Sequence, residues 1–600
     1  MKSVPGYAAL ALIVLSILPL GSSLNVAELW VSTLIIAIAA LVFLLPSVRL
    51  GIGEYAALSG IIMLTLIHVI QGWMWIGVPH LAGLLAAFCL FVMMRSAALS
   101  RSGADRMVQA VLVIGTVFSL ISVIDFFLDP TLIFGAIRPP NVTRLSTPFY
   151  SSNTAGTFYA VMTVLAAAKL LSVFDRFDRQ RRSAFEDLLK RAGLAAACLL
   201  VAMSCVFLSG SRAGITALAF GLIILSAWHF LGRRKTPSTS SRLQVNAWTN
   251  ATAPLLIIVV LGFVFWISGE LYAARLDQLL LTGDQARGTL YPILYQASFI
   301  QPWLGHGLGS YDLVSSYVAQ ADTARMQHFQ GHAHSVTLQW AIQAGLVGLV
   351  GLITMASAVG LRLAMGMRRR TSQRWILRAS FIMAAIVIAH GQVDFALEIP
   401  GLMFTFAALM GLGVGVASGG SKPVKKDQSI PHMARFGVSG LLFIAAITSF
   451  IAARDYLDAE QIAGLNDAQF TERYHDTADR IVGSHVKLVA IGDRALRLDT
   501  PDFEIAQIAF SRYLSIEPRD GTVWAKLAYA QYYTGERSAA ELTASLERSY
   551  ERLPYPRGRF AVWRADFVLS PGIALTDSLE RAINREAIYL RRPAPFETNS

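Results

Sequence analysis

Stretches of about 17–25 mostly apolar residues recur from the N-terminus to about residue 453, and each is long enough to cross roughly 30 Å of hydrocarbon as a helix. Lipid offers no hydrogen bonds to a bare backbone, so a chain built this way is confined to helices that satisfy their own amides. About 13 segments are expected, near 7–23, 29–46, 54–71, 76–94, 107–128, 153–174, 193–209, 213–232, 252–269, 335–361, 379–393, 399–418 and 436–453. The composition agrees, with 54% apolar and only 15% charged residues in 600. The first segment follows Lys2 and precedes the small residues Gly21, Ser22 and Ser23, so it also reads as a cleavable signal peptide, which would leave the later topology unchanged.

Basic residues orient these segments. With Lys2 cytoplasmic, the even-numbered connections hold about 24 Lys and Arg, including Arg95, Arg101, Arg106, Arg368, Arg369 and Arg370. The odd-numbered connections hold about six: Arg138, Arg144, Arg212, Arg275, Arg287 and Arg325. The net charge of +12 is therefore a topology signal, and nucleic acid is not expected as a partner. Cys89, Cys198 and Cys205 all fall within apolar segments and read as small buried hydrophobes.

Two longer connections lie on the basic-poor, expected periplasmic face. Residues 129–152 are rich in prolines and hydroxyl residues. The loop of about 270–334 is longer still, and a loop of that size between membrane helices is usually functional. It contains an amphipathic stretch of about 288–300, a break at Pro302, and the turn Gly305-His306-Gly307-Leu308-Gly309. With no strand before it, that turn does not read as a nucleotide loop.

After about residue 453 the chain becomes charged and amphipathic with helical period. Trp524, Leu527, Gly535 and Ala540, with Pro518 before them, partly match tetratricopeptide spacing, whereas Gln531 and Ala544 depart from it. The expected division is 1–453, a transmembrane domain with the loop of about 270–334, and 454–600, a periplasmic helical, TPR-like domain. The latter either packs on the membrane domain or docks an envelope-assembly protein.

The arginines left on the basic-poor face are conspicuous. Arg212, in LSGSRAG, either snorkels or acts; Arg287, in DQARGTLYP, either pairs with Asp284 or offers its fork to phosphate oxygens. Arg275 is less distinctive. On a helix, the two positions separating His332 from His334 advance about 200°, which turns the rings apart; on a strand they share a face. No HExxH or paired cysteine accompanies them, so no metal is expected, and the readings left are a satisfied buried histidine or a neutral base at the start of a helix.

Taken in order, LSGSRAG, ARGTLYPILYQASFIQPWLGHGLGSYDLV and HAHSVTLQWAIQAGLVGLVGL resemble the O-antigen ligase and O-antigen polymerase superfamily of bacterial membrane glycosyltransferases. Its pattern is matched by Arg212, by Arg287, by the turn from Pro302 to Gly309, and by His334-Ser335. RLSTPFYSSNTAG with Asn153 and VDFALEIPG with Asp394 resemble further loops of the family. Gln343 stands where the family often has glutamate.

The resemblance implies an all-α, polytopic bundle of about 12–13 transmembrane helices in the bacterial inner membrane, with the C-terminal helical domain outside it. It implies metal-independent, inverting transfer of a glycan from a polyprenyl diphosphate to an acceptor hydroxyl on a glycan, lipid A-core or protein, with no cofactor. His334, Arg287 and Arg212 would be catalytic, while Arg275, His332, Gly305, Gly307, Asn153 and Asp394 would bind substrate. A non-catalytic transporter of lipid-linked glycans is the rival from another class; it would place polar residues deep in the membrane, whereas here they crowd at one face.

Overall fold

The computed structural model describes residues 3–18, 25–48, 50–72, 74–137, 144–179, 185–233, 285–327, 330–419, 432–474, 481–535, 538–592 and 595. The expected segment 252–269 and Arg275 lie outside these residues.

The structure is a polytopic helical bundle. In chain order the first eight helices are α1 (Val4–Ile17), α2 (Asn25–Val42), α3 (Ile52–Ile70), α4 (Met74–Ala97), α5 (Arg101–Leu128), α6 (Ser152–Arg179), α7 (Phe185–Leu208) and α8 (Arg212–Arg233). A two-stranded hairpin, β1 (Leu132–Ile133) and β2 (Ala136–Ile137), follows α5. The long loop contributes α9 (Gln285–Ser298), α10 (Tyr311–Tyr317) and α11 (Ala324–Gln327). The bundle resumes with α12 (Val336–Arg369), α13 (Arg374–His390), α14 (Pro400–Ser418) and α15 (His432–Gly464). Among the described residues, eight helices are long and apolar enough to cross a membrane, and Val4–Ile17, Val26–Val42 and Ala192–Leu208 are shorter apolar helices.

Burial separates a protein face from a lipid face on the same helix. Along α5, Val113, Val117, Leu120 and Ile124 are exposed at helical spacing, while Val108, Val111, Leu112 and Phe118 are buried. Some hydroxyls within the bundle turn back on their own helix, as Thr116 donates to the Leu112 carbonyl and Ser119 to that of Gly115, and others bridge helices, as Thr33 meets Ser449 at 2.7 Å. Helix α14 packs tightly on α4 because Gly411, Gly415 and Gly419, four residues apart, bring it against the carbonyls of Phe91, Arg95 and Leu99. A Cβ at Gly411 would lie 2.2 Å from the Phe91 oxygen, so small residues are required along this line.

Helix α15 does not stop at residue 453. It runs on to Gly464, and the helices beyond it build directly on its extension: Lys487 reaches Asp458 at 3.0 Å, and the Ser484 amide donates to Asp455. There follow α16 (Asp467–Tyr474), α17 (His485–Ala495), α18 (Phe503–Ile516), α19 (Gly521–Thr534), α20 (Ala539–Arg552), α21 (Gly558–Phe567) and α22 (Asp577–Tyr589), with α17 to α20 packed in succession. Trp524 and Leu527 are in the buried core of these helices. Asp502, Asp520, Ser538 and Thr576 cap the N-termini of α18, α19, α20 and α22.

Candidate functional site

His334 sits immediately before α12. Ser335 caps that helix by accepting from the Leu338 amide, and His334 is held just outside with φ +50°, a left-handed conformation uncommon for a residue other than glycine. Its neighbours fix it there. The Ala333 amide donates to Gln339 Oε1 at 2.7 Å, the Val336 amide to the Gly391 carbonyl at 2.7 Å, and the Tyr291 hydroxyl to the His334 carbonyl at 2.7 Å.

His334 Nδ1 faces Asp394 Oδ2 at 3.8 Å, longer than a hydrogen bond but within ion-pair range. The same carboxylate oxygen accepts from Asn153 Nδ2 at 2.7 Å. Burial alone would raise the Asp394 carboxyl; the interaction with His334, the charge of His390 and the Asn153 amide outweigh it and hold the carboxyl below its ordinary value. Asp394 is therefore a buried carboxylate. Behind it, Thr157 Oγ1 meets His390 Nδ1 at 2.5 Å.

Since α12 begins only at Val336, both histidines belong to the loop and the helical offset of about 200° does not apply to them. Phe395 lies between the two rings: His332 stacks on it at 4.5 Å and His334 meets it edge-on at 4.8 Å. Burial, followed by the nearby His80 and His334, pushes His332 down to about 4, so this ring is neutral at ordinary pH.

Arg212 is the first residue of α8 and is half-buried. The LSGSRAG turn before it is tied to α6: a Cβ at Gly156 would lie 2.8 Å from both Ser209 Oγ and Ser211 Cβ, and Gly156 is one turn from Asn153. The Leu145 amide donates to the Leu208 carbonyl, and Arg144 runs along Gly210. Arg287 is in the first turn of α9, one turn before Tyr291; its side chain, like all of Arg275, lies outside the described residues.

The glycine turn does something the sequence reading did not anticipate. Helix α12 breaks at Gly345, where φ is +60° and ψ −160°, and the turn repairs the break from outside. His306 N donates to the Ile342 carbonyl and Gly307 N to that of Gln343, while Leu346 N and Val347 N donate to the carbonyls of Pro302 and Trp303. A Cβ at Gly305 would fall 2.5 Å from the Gln343 carbonyl carbon. Gly305 and Gly307, expected to bind substrate, thus spend their amides on the chain itself, Gly305 N donating to Gln301. Two further contacts pin the turn: Leu308 N donates to His68 Nε2 at 2.8 Å, and Arg519 donates to the His306 carbonyl.

The structure thus brings together His334, His332, Asp394 and Asn153, and packs the turn that precedes Arg212 on Gly156, one turn along α6 from Asn153. Sequence reasoning missed Phe395 and Tyr291. Adjacency to Asp394 was a signal for the first, and the four-residue step from Arg287 for the second. Among the described residues, no group of three or more His, Cys, Asp or Glu is placed to hold a metal ion.

A multi-pass helical membrane protein with a polar cluster at the helix ends is the class this architecture defines. Residues 194–353 match the family model for O-antigen ligase, which bears out the resemblance drawn from the motifs. The matched segment contains Arg212, Arg275, Arg287, the glycine turn and both histidines; Asn153 and Asp394 join it from outside through folding. No curated protein matches the chain.

Proposed function

We propose that the protein is an inner-membrane glycosyltransferase that moves a glycan from a polyprenyl diphosphate to an acceptor hydroxyl at the periplasmic face, as a polymerase or a ligase. The contact of His334 Nδ1 with the buried Asp394 carboxylate carries this reading. A carboxylate on one imidazole nitrogen favours the proton there, leaves Nε2 as the base, and stabilises the imidazolium that forms when the acceptor hydroxyl gives up its proton. Asn153 keeps the carboxylate in place. Arg212 and Arg287 neutralise the diphosphate as the sugar bond breaks, in a single inverting displacement that needs no metal. Residues 454–600, as a periplasmic domain, then lie on the same side as this chemistry.

Purified protein in detergent, given a polyprenyl-diphosphate glycan, is the direct test. Release of carrier diphosphate identifies the enzyme, and product length separates chain elongation from a single transfer to lipid or protein. Carrier that moves across a bilayer without release of diphosphate would instead mark a transporter.

A further inference from the structure

A cavity of about 500 Å³ opens between the loop end of α10 and helices α20 and α22. That volume is in the range of small-molecule sites, roughly 300–1,000 Å³. Its walls include Tyr317, Gln320, Glu547, Glu551, Tyr555 and Arg585. Tyr317, Glu551 and Arg585 are exposed, and Tyr555 and Glu547 are half-buried; Glu551 faces Arg552 at 3.6 Å and Glu547 accepts from Thr576, so a ligand would share these carboxylates with their present partners.

This mixture favours one class of ligand. A lipid chain would want an apolar lining, and a phosphate would gain no net positive charge from Glu547 and Glu551 set beside Arg585 and Arg552. A saccharide suits it, because its C–H faces pack on tyrosine rings while its hydroxyls donate to carboxylates and accept from arginine.

The cavity also adjoins the candidate site. Tyr311 and Val314, on the same seven-residue helix as Tyr317, share a buried cluster with Leu290 and Leu294 of α9 and with Ala333 and Ile342 on either side of the start of α12. Across the gap, Arg552 lies over the Tyr317 ring at 5.6 Å. One helix therefore has its buried face against the His334 loop and its exposed end in the cavity.

We propose that this cavity binds a saccharide segment of the glycan, some sugars away from the reacting bond. The inference rests on the glycosyltransferase reading above. In that role the site would let the enzyme keep hold of a growing or incoming chain between transfers.

The test uses the full chain in detergent and, as probe, short oligosaccharides cut by mild acid from the surface polysaccharide of cells that make this protein. Binding is followed by titration calorimetry. Wild type, His334→Ala and Tyr317→Phe should bind alike, whereas Tyr317→Ala and Glu551→Gln should each bind about tenfold more weakly. Lack of binding by the wild type, or equal binding by Tyr317→Ala and Glu551→Gln, overturns the proposal. Turnover by His334→Ala is read in parallel: full activity there would sink the function reading and leave the binding result standing.

Discussion

The hydroxyl of Tyr291 donates to the main-chain carbonyl of His334 at 2.7 Å, tying the helix that opens with Arg287 to the residue assigned as base. His334 is in a left-handed conformation, so this bond helps to hold a backbone that would otherwise relax. Tyr291→Phe should lower stability by about 1 kcal/mol and turnover by up to about tenfold. Single-turnover release of carrier diphosphate, with a thermal melt alongside, checks both. Unchanged turnover would mean that the His334 loop holds its shape without α9.

His334→Ala should cost on the order of 10²–10⁴ in rate and leave carrier binding largely intact. Asp394→Asn should fall between that variant and wild type, because the amide keeps the shape and loses the charge. His332→Ala should be the mildest. An essential His332 beside a dispensable His334 would reverse the base assignment.

The fold was legible where physics is one-dimensional. Hydropathy placed helices at twelve of the thirteen expected segments, the remaining one lying outside the described residues, because length and apolarity alone decide what can cross lipid. The site was legible only in parts. His334, Asn153 and Asp394 could be picked out through a resemblance, but their mutual contact spans 241 positions between Asn153 and Asp394 and has no local signal. The splice made by the glycine turn had no local signal either, because it becomes visible only with the break at Gly345.

Arg212→Lys and Arg287→Lys should each be poor replacements, since an ammonium cannot reproduce a planar, two-pronged grip on phosphate. Turnover should also survive EDTA. Activity lost to the chelator and restored by a divalent cation would remove the arginines from leaving-group stabilisation.

His332 gives stability a pH dependence with a definite sign. Its folded value is about 4 and its ordinary value is 6.5, so below pH 6.5 the unfolded chain takes up a proton that the folded ring refuses. Stability should be flat above that pH on this account and should fall as pH drops from 6.5 toward 4, by on the order of 2 kcal/mol. His332→Phe, which keeps a ring beside Phe395, should flatten the melting profile over that interval. A wild-type profile already flat there would refute the assignment.

Gly305→Ala should be costly, because the new Cβ meets backbone atoms of the α12 break at 2.5–2.6 Å and φ is +69°. A loss of about 2–3 kcal/mol or more is expected. Gly60→Ala, on α3 with nothing within 4 Å, should be neutral or stabilise by up to about 1 kcal/mol. Chemical denaturation of the two variants separates a structural glycine from an incidental one.

Helix α15 is one unbroken rod of 33 residues, roughly 50 Å long, of which the hydrocarbon can take only about 30 Å. The remainder is a lever arm. Asp455 and Asp458 fasten the C-terminal helices to that arm, and Arg519 returns from them to the His306 carbonyl in the glycine turn. A chain of contacts therefore runs from the rod through the C-terminal helices to the splice in α12. The splice is thus braced by helices that follow the last apolar span as well as by His68 of the bundle.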